Sequence, residues 1–279
     1  LVVQSYCDEH SHYLAQRSLG HWLRSQDIPA MTGVDTRFLT RHLRERGTMS
    51  GVMLQDAGSH AVATTAVSVD MEREVFMRVA PGDVVRYPCK REDAGAKTVL
   101  LVDVGAKDNI VRSLSARGVD VLRVPWHMDL EPHWMQADGV MIGNGPGDPR
   151  HLGELVGQVR SLMRKDTKPV FGICLGNQIL ALAAGARTYK LPYGHRGVNQ
   201  PVQDLFTRRS FITSQNHGYA VDDDALPGDW DTWFVNINDG TNEGIRCRGE
   251  PFQGVQFHPE ASPGPRDTAY LFDDFVKQL

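Results

Sequence analysis

Hydrophobic and polar positions follow two different rhythms along this 279-residue chain. In the first third, apolar residues recur at helical spacing in two stretches, 18–26 and 36–46, which predict short amphipathic helices. The second stretch has a capping residue at Asp35 or Thr36 and a glycine stop at Gly47. We expect its buried face to consist of three apolar side chains: Phe38, Leu39 and Leu43.

From Thr98 onward, short apolar runs alternate with stretches of helical length, which predicts parallel strands joined by crossover helices. The expected strands are 99–104, 119–124, 139–143 and 169–173, with helices at 107–117 and near 151–165 and later strands near 211–214, 232–237 and 252–257. The predicted fold class is α/β, a doubly wound, mostly parallel sheet preceded by part of a smaller N-terminal domain. Ligands of such folds bind at the carboxyl ends of the strands.

One predicted strand runs into a Gly-x-Cys-x-Gly turn and then directly into a predicted helix. The flanking Gly172 and Gly176 allow a sharp reversal that holds Cys174 at the sheet edge, as in the nucleophile elbow of hydrolases. The N–H groups of the helix that starts near Leu175 favour a thiolate there. The alternative is a small core residue, which is the usual role of an intracellular cysteine.

A second chemical signal, His258-Pro259-Glu260, ends the last predicted strand. A nucleophilic thiol needs a base to move its proton, and the base needs a carboxylate to orient it. A lone histidine is more often structural, but this one has a carboxylate two residues on and an elbow cysteine upstream. Cys174, His258 and Glu260 are therefore candidates for a catalytic triad.

These two motifs resemble those of the class I (triad-type) glutamine amidotransferases. The resemblance narrows to the glutaminase (small) subunit or domain of carbamoyl-phosphate synthetase, because further matching runs cover most of residues 98–279. These runs are Asn144–Pro149, Tyr193–Gly197, Asn199–Pro201, Ser214–Val221 and Glu260–Pro265. The segment Gly33–Thr48 resembles the N-terminal domain of that family, which other amidotransferases lack.

The resemblance implies three parts: residues 1–90 as a partial N-terminal domain, 91–97 as a linker, and 98–279 as the amidotransferase domain. Relative to the family, the chain begins partway through the N-terminal domain, so we expect a fragment. The family's N-terminal domain also supplies a serine contact to glutamine, and no position here can be assigned to it.

The resemblance also implies chemical roles. Cys174 attacks the side-chain amide carbon of glutamine, His258 carries the proton to the departing nitrogen, and Glu260 holds the imidazole tautomer. Ammonia leaves, and water then hydrolyses the thioester to glutamate. The expected oxyanion donors are the N–H groups of Leu175 and Gly145. The expected glutamine-binding residues are Gly145, Gly147, Leu175, Gln178, Asn216, Gly218 and Tyr219.

Two further polar positions complicate this assignment. Asn177 stands where the family commonly has a histidine, in Cys-Leu-Gly-His-Gln, and turnover would be weak if that histidine tunes the thiolate. Some relatives have lost the nucleophile and use free ammonia, whereas this chain keeps the whole triad. His217 is a possible second base, but a structural imidazole is favoured because the triad already has its base.

Composition sets limits on binding partners. The net charge of −4 gives no reason to expect nucleic acid or an anionic membrane, and no apolar run approaches the roughly 20 residues that span a bilayer. The four scattered cysteines predict neither a metal site nor a disulfide framework, and a catalytic thiol suits a reducing cytoplasm. The chain lacks a phosphate-binding loop with lysine, so we expect no cofactor in it.

The expected partner is the large subunit, or a fused domain, of carbamoyl-phosphate synthetase. By resemblance it receives the ammonia through a tunnel and uses bicarbonate and two ATP with Mg. Two other hypotheses stay open. One is another class I amidotransferase or a γ-glutamyl hydrolase, against which Gly33–Thr48 argues; the other is a catalytically weak regulatory module, which Asn177 alone supports. The sequence does not distinguish a separate subunit from a fused one, or pyrimidine from arginine or urea synthesis.

Overall fold

The computed structural model describes residues 1–13, 15–47, 49, 51–53, 74–89 and 97–279. The chain divides into two compact units, Leu1–Ser68 and Val69–Leu279. Apart from Lys97, the predicted linker 91–97 lies outside the described residues. The predicted domain limits themselves stay a prediction.

The first unit contains both predicted helices, α1 (Leu19–Ser25) and α2 (Thr36–Arg46). The Asp35 side chain accepts the Phe38 N–H at 2.9 Å and caps α2 at its N-terminus. The predicted buried face of α2 is wrong, since the helix buries no residue and Phe38, Leu39 and Leu43 are all exposed. Among the described residues 1–53 only Leu23 is buried, so this short stretch offers α2 little core to pack against.

The second unit carries one large sheet with helices. Its helices are α3 (Glu74–Val79), α4 (Asp108–Ser115), α5 (Glu131–Gln136), α6 (Gly153–Lys165), α7 (Leu175–Ala184) and α8 (Tyr270–Gln278). Its first five strands are β1 (Val85–Tyr87), β2 (Thr98–Asp103), β3 (Asp120–Pro125), β4 (Gly139–Ile142) and β5 (Val170–Ile173). Its last five are β6 (Thr188–Asp204), β7 (Ser210–Val221), β8 (Trp230–Asn236), β9 (Asn242–Cys247) and β10 (Phe252–Val255).

The ten strands form one mixed sheet in the order β1-β3-β2-β4-β5-β10-β9-β8-β6-β7. Strands β3, β2, β4, β5 and β10 are parallel to their neighbours within this group. Strand β1 on one side and β9, β8, β6 and β7 on the other extend it in antiparallel fashion. The predicted α/β class is confirmed, with the parallel strands at the centre and a longer antiparallel extension than the sequence indicated.

Both faces of the parallel strands are covered, which explains their continuous apolar runs. Along β2, Val99 and Leu101 pack on the side of α4 and α8. Leu100 and Val102 pack on the other side, with α5, α6 and α7. The sheet is therefore wound on both faces, and the carboxyl ends of β4, β5 and β10 meet at one edge.

Two elements within the predicted N-terminal domain pack with the larger unit. Strand β1 pairs with β3, and Phe76 of α3 is buried in the core beside Trp126. None of the described helices is both long enough and apolar enough to cross a membrane.

Candidate active site

Cys174 lies between the last residue of β5 and the first residue of α7. Its backbone is in the left-handed region, at φ 55° and ψ −104°. Such a conformation costs a non-glycine residue about 1–3 kcal/mol and persists only where its surroundings impose it. The Cys174 N–H donates to the Val255 carbonyl at 2.8 Å, so the end of β10 holds the strained residue in place.

Close backbone packing requires both glycines of this turn. A Cβ on Gly172 would lie 2.5 Å from the carbonyl oxygen of Gly176, and one on Gly176 would lie 2.0 Å from that of Ile142. Neither approach leaves room for a side chain. The Gly-x-Cys-x-Gly motif therefore folds as a strand–elbow–helix turn, with the cysteine at the carboxyl edge of the parallel strands.

His258 follows β10 and contacts the Cys174 sulphur and the Glu260 carboxylate. Its Nδ1 lies 2.7 Å from Glu260 Oε1, and all three residues are buried. Burial alone would lower the pKa of His258, but the charge of Cys174, their hydrogen bond and the Glu260 carboxylate raise it to about 10. The imidazole is therefore protonated at neutral pH.

Glu260 is held as a carboxylate by two cations. Burial would raise its pKa, but the hydrogen bond and charge of His258, and then the charge of Lys107, hold the pKa below its usual value. Lys107 Nζ lies 3.2 Å from Glu260 Oε1, and the Asn109 amide donates to the Glu260 backbone carbonyl. Sequence reasoning missed Lys107 and Asn109, because they precede Glu260 by more than 150 residues and no local motif links them.

The two expected oxyanion donors lie beside each other. Leu175 opens α7, where backbone N–H groups have no partner within the helix. Gly145 follows β4, and a Cβ on it would lie 2.8 Å from Leu175 Cδ2 and 2.3 Å from the Val104 carbonyl oxygen. Only glycine brings the backbone this close to the elbow, so the structure places both peptide groups next to Cys174.

The expected glutamine-binding residues sit around the same edge. Gln178, one turn into α7, donates from Nε2 to the Tyr219 carbonyl of β7 at 2.8 Å. Asn216 is exposed and Gly218 half-buried on the same strand. Gly147 has φ +85°, and a Cβ there would lie 2.6 Å from the Phe76 ring, so α3 packs against this turn.

Gln256 is a second amide beside the nucleophile that sequence reasoning missed. It is fully buried, and its Nε2 lies 3.6 Å from Cys174 Sγ. Its Oε1 accepts from Gln178 Nε2 at 2.9 Å. Its position two residues before His258 was a signal in the sequence, since alternate residues at a strand end share a side.

Asn177 is fully buried on α7 and faces β10. A Cβ on Gly254 would lie 2.6 Å from Asn177 Oδ1. Neither the Nδ2 nor the Oδ1 atom has a hydrogen-bond partner among the described residues. The residue that departs from the expected motif therefore packs behind the elbow rather than against the sulphur.

His217 belongs to a second buried cluster, with His195 and Glu243. Its Nδ1 lies 2.8 Å from the Tyr219 carbonyl oxygen, which fits the structural role that the sequence favoured. The ligand-type atoms of His217, His195 and Glu243 lie within 4.8 Å of one another, a spacing that could hold a metal ion. However, His195 contacts carboxylates through both ring nitrogens, Glu243 at 3.1 Å and Asp239 at 2.8 Å. Protons between these groups explain the cluster without an ion.

The geometry agrees with known families. Residues 100–278 match the family described as glutamine amidotransferase class-I, and residues 1–53 match the CPSase domain of the carbamoyl-phosphate synthase small chain. A crystal structure of a GMP synthase protein from Thermoplasma acidophilum is similar, with a TM-score of 0.59. It is 22% identical over 66% of this chain and 94% of its own, which concerns the fold alone.

Two relatives carry the assignment further. A carbamoyl phosphate synthase small chain from Symbiobacterium thermophilum is 47% identical over 99% of this chain and 77% of its own length. The multifunctional protein pyrABCN of Emericella nidulans is 43% identical over 100% of this chain, which spans only 13% of that protein. The chain belongs to the class I glutamine amidotransferases, within the family of carbamoyl-phosphate synthase small chains.

Proposed function

We propose that this chain hydrolyses glutamine to glutamate and ammonia through a thioester on Cys174. The observation that carries the proposal is the strained elbow cysteine with a protonated His258 at its sulphur and Glu260 behind the imidazole. A strained backbone and a buried charge pair both cost stability, and they are typical of sites where chemistry needs them.

The reaction follows from these positions. The sulphur attacks the side-chain amide carbon of glutamine, and the imidazolium of His258 donates its proton to the nitrogen. The carbon–nitrogen bond then breaks, ammonia leaves and a γ-glutamyl thioester remains. Neutral His258 next takes a proton from water, whose oxygen attacks the thioester, and glutamate and Cys174 are released. Glu260 holds the Nδ1 proton throughout, which keeps Nε2 directed at the reacting atoms.

The oxyanion of each tetrahedral intermediate lies, in this proposal, between the N–H groups of Leu175 and Gly145. Preorganised donors of this kind each contribute about 3–4 kcal/mol to transition-state stabilisation. The substrate's amide and α-substituents are bound by the remaining expected residues: Gly147, Gln178, Asn216, Gly218 and Tyr219. The contact between Gln178 and the Tyr219 carbonyl supports a pocket that spans α7 and β7.

The ammonia is passed to a carbamoyl-phosphate synthetase subunit or fused domain, which combines it with bicarbonate using ATP and Mg. The support is the family membership, together with relatives that exist as a small chain and as part of a multifunctional protein. Ammonia protonates readily near neutral pH and ammonium is no nucleophile, so a closed route to the partner has a chemical reason. The match of residues 1–53 argues against a freestanding γ-glutamyl hydrolase. Because the mechanism needs a reduced thiol, we place the reaction in the cytoplasm.

The test is glutamate release from glutamine by the chain, alone and with a synthetase large chain and ATP. Native protein is compared with Cys174→Ala, and free ammonia serves as a substrate that bypasses the thiol. We expect Cys174-dependent glutamate release that rises with the partner and ATP, and carbamoyl phosphate formation from ammonia with either protein. Absence of glutamate release in both settings, with Cys174 unlabelled by a glutamine analogue, would leave the regulatory-module hypothesis.

A further inference from the structure

Gln256 is a fully buried amide that none of the proposed steps uses. It directly follows β10, and its backbone N–H donates to the Glu243 carbonyl at 2.8 Å, which fixes the main chain. Its side chain lies between the nucleophile and Gln178, with contacts to both. An amide buried this deeply needs all its polar atoms to be partnered, so its orientation carries information.

The hydrogen-bond network determines which end of the amide faces the sulphur. Gln178 places an atom 2.8 Å from the Tyr219 carbonyl oxygen, and because that oxygen only accepts, the atom must be the nitrogen. The same nitrogen lies 2.9 Å from an atom of Gln256, which must then be the oxygen. The Gln256 nitrogen is left facing Cys174 Sγ at 3.6 Å, a distance suited to an N–H···S hydrogen bond.

This contact suits the needs of a buried nucleophile. A desolvated thiolate loses the hydrogen bonds of water, and a charged acceptor gains more from a donor than a neutral one does. Because Gln178 bonds to the same amide, its position is tied to that of the sulphur.

We propose that Gln256 is a catalytic residue, whose N–H bonds to the Cys174 sulphur and whose carbonyl sets the position of Gln178. The inference rests on the proposed glutaminase function. Through its N–H, Gln256 stabilises the sulphur as a thiolate before attack, and its carbonyl orders the side of the pocket where the substrate amide enters. Loss of the N–H should therefore affect both thiol reactivity and kcat, whereas a purely structural residue would affect only stability.

The experiment compares Gln256→Met, which keeps the length and removes the donor and acceptor, with Gln256→Glu, which keeps an acceptor for Gln178. Gln253→Met on the same edge of β10 is the matched control, since Gln253 has no role in the site. The readouts are kcat and KM for glutamine hydrolysis, the pH dependence of Cys174 alkylation by iodoacetamide mapped by peptide mass spectrometry, and thermal unfolding.

A hydrogen bond to a charged group contributes about 1.5–3 kcal/mol, so we expect kcat/KM to fall about 10- to 100-fold in Gln256→Met. Cys174 alkylation should shift to higher pH in both Gln256 variants, with the larger shift in Gln256→Glu, and stay unchanged in Gln253→Met. If both folded Gln256 variants keep the native alkylation profile, the inference is overturned.

Alkylation also separates the two proposals, because it needs no substrate. An alkylation profile that depends on Gln256 in a chain that releases no glutamate would uphold the contact and refute the glutaminase function. Native glutamate release with native alkylation in the Gln256 variants would do the reverse.

Discussion

Two buried carboxylate–histidine clusters lie in the larger unit, and only one of them adjoins a nucleophile. Glu260 Oε1 lies 2.7 Å from His258 Nδ1, and Glu243 Oε1 lies 3.1 Å from His195 Nδ1. Both carboxyl groups have lowered pKa values despite burial, since their histidines charge and hydrogen-bond them. In both clusters the other carboxylate oxygen has no hydrogen-bond partner among the described residues.

The second ring nitrogen separates the two clusters. The free side of His258 faces the Cys174 sulphur, whereas Nε2 of His195 is bound to Asp239 at 2.8 Å. The hydrogen bond to Glu243 raises the pKa of His195 to about 9, against the effect of burial and with further help from Asp239. A buried Glu–His pair is thus not a catalytic site by itself. The group that meets its outer nitrogen decides whether a proton can be used or is merely stored.

The largest contrast should come from removing each histidine. We expect His258→Asn to lower kcat for glutamine hydrolysis about 10²- to 10⁴-fold, because general acid–base catalysis is lost. His195→Asn should keep kcat near the native value and lower the free energy of unfolding by about 3 kcal/mol, since Glu243 loses its cation. Steady-state kinetics and urea unfolding of the two variants measure both effects. Equal losses of kcat would abolish the distinction.

The carboxylates should show the same contrast at smaller size. Glu260→Gln retains the shape but no longer fixes the imidazole tautomer, so kcat should fall about 10²-fold or more. Glu243→Gln should act mainly on stability and on KM, because His217 and the Tyr219 carbonyl lie beside the pocket. Native stability in Glu243→Gln would show that the buried charge is dispensable.

The pH dependence of stability sharpens the comparison further. The pKa of folded His195 is raised from 6.5 to about 9, so its proton stabilises the fold fully below pH 6.5. This contribution is lost as the pH rises from 6.5 to about 9, and the free energy of unfolding should fall across that window. His195→Asn should flatten the fall, leaving the share due to His258. Parallel curves for native and variant proteins between pH 6 and 9 would contradict the assignment.

The smallest effect is expected at Asn177, a buried polar group that belongs to neither cluster. Its amide atoms lack partners among the described residues, so Asn177→Leu removes a desolvation penalty and should raise the free energy of unfolding by about 1 kcal/mol. We expect kcat to change less than about tenfold, which is 1.4 kcal/mol of activation free energy. Thermal unfolding and glutamine turnover test this, and a large loss of kcat would place the amide in the catalytic machinery.

The parallel half of the fold could be predicted because its signals are local. Strands β2 to β5 are apolar on both faces, and the elbow and the His-Pro-Glu turn are short motifs at strand ends. The antiparallel half was largely missed. Strand β6 contains Pro192, Gly194, Gly197 and Pro201, which indicate turns, and the structure accommodates them with two register shifts against β7. Strand β9 was missed because it buries polar residues such as Asn242 and Glu243.

The site shows the same limit. Motifs predicted which residues carry charge and nucleophilicity, and the structure brings Cys174, His258 and Glu260 together. The contacts of Lys107 with Glu260 and of Gln256 with Cys174 arise from residues 153 and 82 positions apart. Such pairs depend on how strands are ordered in the sheet, which no short pattern encodes.

The most direct test of the account is to trap the thioester. Native chain and the Glu260→Gln and Glu243→Gln variants are mixed with glutamine, quenched in acid and mapped by peptide mass spectrometry. We predict a γ-glutamyl adduct on Cys174 in the native protein and in Glu243→Gln, and a much slower appearance of it in Glu260→Gln. An adduct that is absent, that forms on Cys7, Cys89 or Cys247, or that is lost equally in both variants would contradict the assignment of chemistry to one cluster.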